Sequence, residues 1–161
     1  MSSRFEKTIL ANYKKSDRVL TGTNIQIIMP ELTTWYARFL NLADEFSDGE
    51  YLVKVSLKSR FPQEAPDVQM LTPNGVYEIN GTVICTGYGA HHQHTYTPAK
   101  GIHGVLGSVL GNMLDWQNVS HGIGFIKSDT ALKQKLAKQS KPYNRKYYDS
   151  LISQFEEKYG K

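Results

Sequence analysis

The order of apolar and polar positions divides the chain into an opening helix, a run of strands, an irregular middle and a helical end. Over 3–15, Phe5, Ile9 and Tyr13 recur every four residues with Leu10 beside them, while Glu6, Lys7, Lys14 and Lys15 face away. That period predicts an amphipathic helix, capped by Ser2 or Ser3. Residues 24–29 are apolar and β-branched, and over 34–40 Trp35, Ala37 and Phe39 alternate with Tyr36, Arg38 and Leu40. Over 50–57, Tyr51, Val53, Val55 and Leu57 alternate with Lys54, Ser56 and Lys58, the pattern of a half-solvated strand. Asp48-Gly49 ahead of it is a turn signal, so the second and third strands are expected to form an antiparallel hairpin. Residues 68–71 make a short fourth strand.

Helical spacing returns over 101–115, where Val105, Leu106, Val109, Leu110 and Met113 are apolar and Gly104, Gly107 and Gly111 line one side. Each glycine costs roughly 1 kcal/mol against alanine in a helix, a cost that close packing of that side on the sheet would explain. The last helices are expected over 130–138 and 142–158, broken near Lys141-Pro142, with Leu132, Leu136, Tyr147, Leu151, Ile152 and Phe155 in the core. Between the strands and these helices lies a long irregular segment, 72–99. Such segments inside a compact domain are usually functional. The pattern is that of an α+β domain: an N-terminal helix, a four-stranded antiparallel meander and C-terminal helices. Its 161 residues make one domain by size, with no repeat and no internal linker.

Composition narrows the class. With 40% hydrophobic and 21% charged residues the chain is globular rather than disordered. The single cysteine permits no internal disulfide, which points to a reducing compartment. The N-terminus has no apolar core of a signal peptide, and no run reaches the ~20 apolar residues that span a bilayer. The net charge of +4 comes largely from 127–161, where basic residues are interleaved with Asp129, Asp149, Glu156 and Glu157. Mixed charge on a helix reads as a solvated face, not as a nucleic-acid surface.

The candidate chemistry lies in 72–99. A lone cysteine is by default a small buried hydrophobe, but its thiolate is a strong nucleophile, and a free thiol near pKa ~8.5 is partly ionised at pH 7. Upstream of Cys85, Asn74 sits on the Pro73-Asn74-Gly75 turn. A carboxamide there can donate to a developing oxyanion, or it can satisfy the backbone of its own turn. Cys85 with His91, His92 and His94 is also a legal zinc set, although closed zinc sites usually show paired ligands at fixed spacing and no second cysteine exists. A loop role for the histidines is therefore preferred, with no metal and no cofactor.

Thr72-Pro73-Asn74-Gly75, then Ile84-Cys85, then Tyr96-Thr97-Pro98-Ala99 resemble the active-site stretch of ubiquitin-conjugating enzymes, in which His-Pro-Asn precedes the cysteine and Trp-(Ser/Asn)-Pro-Ala follows. The threonine variant is similar to the Ubc-six-like endoplasmic-reticulum branch of protein quality control and ER-associated degradation. Ser128-Asp129, Gln134-Lys135-Leu136-Ala137, Gln139-Ser140 and Tyr143-Asn144 follow in that branch's order, so the resemblance is firm over about 35–145.

The resemblance implies the ubiquitin-conjugating-enzyme fold, with 1–161 as a single catalytic core domain in an ATP-dependent cascade. It implies an enzyme that takes ubiquitin or a ubiquitin-like protein from an activating enzyme as a thioester on Cys85. Transfer to substrate amines or hydroxyls would then proceed with a RING-type ligase, Asn74 assisting. It assigns Phe61, Pro62, Thr97, Pro98 and Ala99 to the ligase, and Lys7, Lys14 and Lys15 to the activating enzyme. Thr72, Pro73, His92 and Tyr96 support the site. The implied location is cytoplasmic, or at the cytosolic face of the endoplasmic reticulum if a C-terminal anchor of the kind usual in that branch is missing from this chain.

There are departures. Thr72 replaces a structural histidine, and Tyr96 stands where the family has tryptophan. The loop Phe61-Pro62-Gln63-Glu64-Ala65-Pro66-Asp67 is abbreviated. Over 118–122 no carboxylate stands where typical carriers lower the pKa of an incoming lysine, which leaves His121 as a base near pH 7. A hydroxyl acceptor would suit such a site. The chief rival is a non-catalytic ubiquitin-binding variant of the same fold; a cysteine hydrolase is more remote, because it would need a base histidine paired to the thiol.

Overall fold

The computed structural model describes residues 3–84, 96–119 and 124–161. Helix α1, Arg4–Leu20, is capped by Ser3, whose hydroxyl accepts the Glu6 N–H at 3.1 Å. It runs past the expected end because Ser16 and Leu20 continue, at helical spacing, the buried side that Ile9 begins. Gly22, at φ +82°, then turns the chain toward the sheet.

Four strands follow in sequence order and pair antiparallel throughout: β1 Ile25–Glu31, β2 Thr34–Phe39, β3 Tyr51–Ser56 and β4 Asp67–Met70. β1 is an edge strand, so it tolerates Pro30, which lies where the register slips between Ile28 and Glu31. β2 and β3 do pair, Phe39 with Tyr51 and Thr34 with Ser56. Their connection is longer than a tight hairpin, because a 3-10 turn at Asp44–Phe46 tucks Phe46 edge-on against Tyr51.

The helical end comprises α2 Gly101–Leu114, the single turn α3 Trp116–Val119, α4 Thr130–Tyr147 and α5 Asp149–Tyr159. One face of the sheet buries Trp35, Ala37, Phe39, Val53 and Val55 against α1 and α2. The other face is covered as well: Ile28 and Leu52 pack with Ile152 and Phe155 of α5. β3 is buried on both faces only at its start, where α5 covers Leu52; farther along, Lys54 and Ser56 on that face are half-buried, as the alternation suggested. This is the α+β arrangement of the ubiquitin-conjugating-enzyme fold. No described helix is long and apolar enough to cross a membrane.

Three expectations for the helices are corrected. α4 runs through Pro142, and the break falls at Tyr148, whose backbone closes α4 on Asn144 and opens α5 on Ile152. Pro142 and Lys138, whose carbonyl loses its helical partner, are both exposed, so water can replace the missing N–H. Second, the buried side of α4 is Lys133, Ala137, Ser140 and Asn144, while Leu132 and Tyr147 are exposed. Third, the glycine side of α2 faces outward: a Cβ on Gly107 or Gly111 would meet nothing within 4 Å. Nothing in the structure explains this glycine stripe. Gly107→Ala and Gly111→Ala should each stabilise the fold by about 0.5–1 kcal/mol, since they lower backbone entropy in the unfolded chain without a clash. Urea denaturation checks this through a raised midpoint at constant slope.

Candidate active site

The turn at 72–77 is held by its own asparagine. Asn74 is buried, and its Nδ2 donates to the carbonyls of Thr72 at 3.0 Å and Tyr77 at 3.2 Å. Its Oδ1 accepts the N–H groups of Val76 at 2.8 Å and Tyr77 at 2.7 Å. The carboxamide thus closes a loop that no helix or strand could satisfy.

Three outside contacts clamp this turn. Thr72 Oγ1 accepts the Leu52 N–H of β3 at 2.9 Å and donates to Asn144 Oδ1 of α4 at 2.6 Å. Tyr77, packed against Phe125, donates its hydroxyl to the Val109 carbonyl of α2 at 2.7 Å, and burial drives its pKa far upward, so it stays a donor. Ser128 Oγ donates to the Gly75 carbonyl at 2.6 Å and is met by Lys133 Nζ at 2.7 Å.

Lys133 is 1% exposed and lies over the Trp116 ring at 3.5 Å. Trp116 in turn donates to Glu45. Burial lowers the Lys133 pKa below the ordinary lysine value, and Glu45 and Asp129 pull it back up. Lys133 also donates to the Ser128 carbonyl at 2.9 Å, so the ammonium is satisfied by hydrogen bonds and a π face without an ion pair among the described residues.

Cys85, His91, His92, His94 and His121 lie outside the described residues. What bounds the cysteine segment is visible. On entry, the Ile84 N–H donates to the Val68 carbonyl of β4 at 2.9 Å, with Ile84 fully buried. On exit, the buried Tyr96 donates its hydroxyl to the Pro62 carbonyl at 2.8 Å, and burial raises its pKa. That bond brings the Phe61-Pro62 loop beside Thr97, Pro98 and Ala99, which are exposed. Phe61 itself is buried and anchors its loop, so Pro62 is the member of that pair at the surface. Lys7, Lys14 and Lys15 are exposed along α1. Beside the turn runs a groove of about 340 Å³ lined by Pro73, Asn74, Gly75, Ile79, Ile126 and Leu136 among others. A larger cleft, about 490 Å³, lies away from the turn, where Arg38 pairs with Glu50 and Arg145 with Glu156.

Thr72, Pro73 and Asn74 are therefore brought together, whereas Ser128, Lys133, Trp116 and Tyr77, which fix the turn, were not singled out as site residues. The spacing of Lys133, Ala137, Ser140 and Asn144 along a helix is the signal that could have pointed to α4.

Over 110 residues the chain is 28% identical to ubiquitin-conjugating enzyme E2 6 of Debaryomyces hansenii, a match that covers 68% of this chain and 44% of the relative. The chain is related to the ubiquitin-conjugating enzymes. Ubiquitin-conjugating enzyme E2 34 of Arabidopsis thaliana is 28% identical over 116 residues, covering 71% of this chain and 47% of the relative. For ubiquitin-conjugating enzyme E2 J2 of Homo sapiens the identity is 30% over 101 residues, covering 63% and 38%. The chain spans less than half the length of these curated relatives. No family model matches it. The fungal E2 6 relatives fit the Ubc-six-like branch that the threonine motif resembles.

Gly75→Ala tests the clamp. Gly75 sits at φ +85°, and a Cβ there would lie 2.8 Å from Ser128 Oγ and 2.9 Å from Lys133 Cγ. The left-handed backbone alone costs a β-carbon ~1–2 kcal/mol, and the contacts add to it. The expected loss in urea denaturation exceeds that of Gly81→Ala, which has a similar φ and open space.

Proposed function

We propose that the chain is a ubiquitin carrier, accepting ubiquitin or a ubiquitin-like protein on Cys85 and passing it to an amine or hydroxyl with a RING-type ligase, with 1–161 acting as one catalytic core. The observation that carries this reading is the clamped Thr72-Asn74 turn, in a chain related to ubiquitin-conjugating enzymes, with Ile84 pinned to β4 one residue before the thiol. In charging, the Cys85 thiolate attacks the thioester carbonyl of the activating enzyme; a new S–C bond forms and the enzyme's own thiolate leaves. In discharge, the acceptor attacks the carbonyl, Cys85 leaves as thiolate, and the acceptor's proton goes to a base or to water.

Asn74 has two roles in this scheme. In the uncharged protein both Nδ2 hydrogens are committed to Thr72 and Tyr77, so an oxyanion gains a donor only when one of them is handed over. One such donor is worth about 3 kcal/mol in a tetrahedral transition state. The exposed Thr97, Pro98 and Ala99, with Pro62 beside them, are assigned to the ligase, and Lys7, Lys14 and Lys15 to the activating enzyme. The cytosolic face of the endoplasmic reticulum is the proposed site of action, by analogy with the branch.

Incubation with activating enzyme, ATP and ubiquitin should give a reductant-sensitive adduct, and Cys85→Ser should give a reductant-resistant oxyester or none. A chain that binds ubiquitin yet never forms the adduct would be a non-catalytic variant.

Asn74→Ala should leave charging nearly intact but slow discharge to a free amine by about 100-fold or more. It should also lower thermal stability, because it strips two N–H groups of their acceptor. Discharge assayed well below the melting temperature separates the two effects; equal loss of charging and discharge would reduce Asn74 to a turn residue.

A further inference from the structure

The last turn of α5 reaches across the sheet edge to α1. Lys158 Nζ donates to the Tyr13 hydroxyl of α1 at 2.8 Å, to Asp17 Oδ1 of α1 at 2.7 Å and to the Ile27 carbonyl of β1 at 2.7 Å. An ammonium has three N–H groups, so all of them are committed. It also lies between the rings of Tyr13 and Tyr159, 5.0 and 4.9 Å from their centroids. Beside it, the Tyr159 hydroxyl accepts the Ile27 N–H at 3.0 Å and stands 3.3 Å from Asp17 Oδ1. Ile27 is on an edge strand, and its outward N–H and carbonyl take these side chains in place of a neighbouring strand. An exposed lysine–carboxylate pair is worth little, because two flexible side chains must be held in one geometry. Here three acceptors and two rings hold the lysine at once.

A second tether holds α1 on another flank. The buried Ser16 Oγ accepts the His103 N–H of α2 at 3.3 Å and lies 3.1 Å from His103 Nδ1. Ser16 and Asp17 are consecutive, so their tethers leave α1 about 100° apart around its axis. Burial of Ile9 and Leu20 presses α1 onto the core without direction, whereas hydrogen bonds on two flanks fix its rotation. That rotation decides which side chains face out. Lys7, Lys14, Lys15 and Arg18 are exposed and have no ion pair among the described residues. α1 holds two acids, Glu6 and Asp17. Asp17 stands three residues after Lys14, within helical reach of it, but is turned to Lys158 instead.

We propose that Lys158 and Tyr159 are positioning residues for docking of the activating enzyme, on the reading given above that α1 is the surface it meets. They fix the rotation of α1, and they draw Asp17 away from the basic face that Lys7, Lys14 and Lys15 present. Without them the same carboxylate is free to neutralise Lys14, and the lysines lose their common orientation. The tether shares no residue with the Asn74 turn. It therefore acts on charging, where the activating enzyme must dock, and not on transfer from a chain already charged.

The test compares the full chain with Lys158→Met/Tyr159→Phe, which keeps a long apolar stem and the ring stacked on Phe155 but removes the ammonium and the hydroxyl. Initial charging rates with activating enzyme, ATP and ubiquitin, taken across carrier concentrations, should show KM for the carrier raised by about fivefold or more with kcat little changed. Discharge of the pre-formed thioester to a free amine, in a single turnover, should be unchanged. Hydrogen exchange should show lost protection at the Ile27 amide and along 13–18. Lys158→Met alone should give the same split to a smaller extent, and it decides the matter if circular dichroism shows the double variant unfolded. Unchanged KM in a folded variant overturns the proposal while the carrier reading stands. So does unchanged protection over 13–18, or KM, kcat and discharge impaired together. If the unaltered chain forms no thioester, the carrier reading fails and this proposal falls with it.

Discussion

Glu50 is the point at which the sheet, α4 and the candidate site are joined. Its carboxylate takes the Arg38 guanidinium at 3.2 Å on one oxygen and the Asn144 carboxamide at 3.0 Å on the other. Its backbone N–H donates to Ser140 Oγ, and its carbonyl accepts from Asn144. Arg38 is steadied in turn by two bonds to Gln26 Oε1 and by the Phe155 ring. All of these groups except Gln26 are buried. A buried ion pair gains little over an apolar substitute, but removing one partner costs ~3–5 kcal/mol because the other charge is stranded. The contact therefore specifies where α4 lies on the sheet more than it adds to stability. Asn144 then passes that position to the site, because its remaining oxygen accepts from Thr72.

The candidate site is built outward from there. Thr72 is bound to β3 and α4 at once, which sets the start of the turn; Tyr77 sets its end on α2; Ser128 and Lys133 hold Gly75 from the side. In this chain the hydroxyl of Thr72 thus performs the buried hydrogen-bonding that the resemblance assigns to a histidine, and Asn144 is the partner that makes this possible. The cysteine segment leaves and rejoins the same frame through Ile84 on β4 and Tyr96 on the Pro62 loop. Tyr96 has a polar tip that reaches a carbonyl, so the ring fills the apolar slot and also ties two loops together.

Much of this was legible from the residues. Alternation marked β2 and β3 and an apolar, β-branched run marked β1, because one face of each packs in a single apolar core, and the Pro-Asn-Gly sequence marked the clamped turn. α4 was misjudged for a physical reason. Its core side is Lys133, Ala137, Ser140 and Asn144, polar groups whose burial depends on partners elsewhere in the chain, so an apolar count assigned Leu132 and Tyr147 inward instead. On β3 the alternation holds at Lys54 and Ser56, and only the covering of Leu52 by α5 goes unannounced within the strand. Pro142 suggested a break because its missing N–H is visible in sequence, while the exposure that makes the loss tolerable is not. Gly107 and Gly111 of α2 suggested close contact and instead face open space.

The central claim is that the position of α4, set through Asn144, holds the turn that carries Asn74. Native-state hydrogen exchange on Asn144→Leu, compared with the unchanged protein, tests it directly. Leucine keeps much of the volume and removes every hydrogen bond that Asn144 makes to Glu50 and Thr72. The account predicts that the Leu52, Val76 and Tyr77 amides lose protection together, since Thr72 and Asn74 accept their N–H groups, while the Ile27 amide on the edge strand, bonded to Tyr159, keeps its protection relative to them. Unchanged protection at Val76 and Tyr77 in a folded Asn144→Leu protein would contradict it, and would mean that the turn stands on its own asparagine alone.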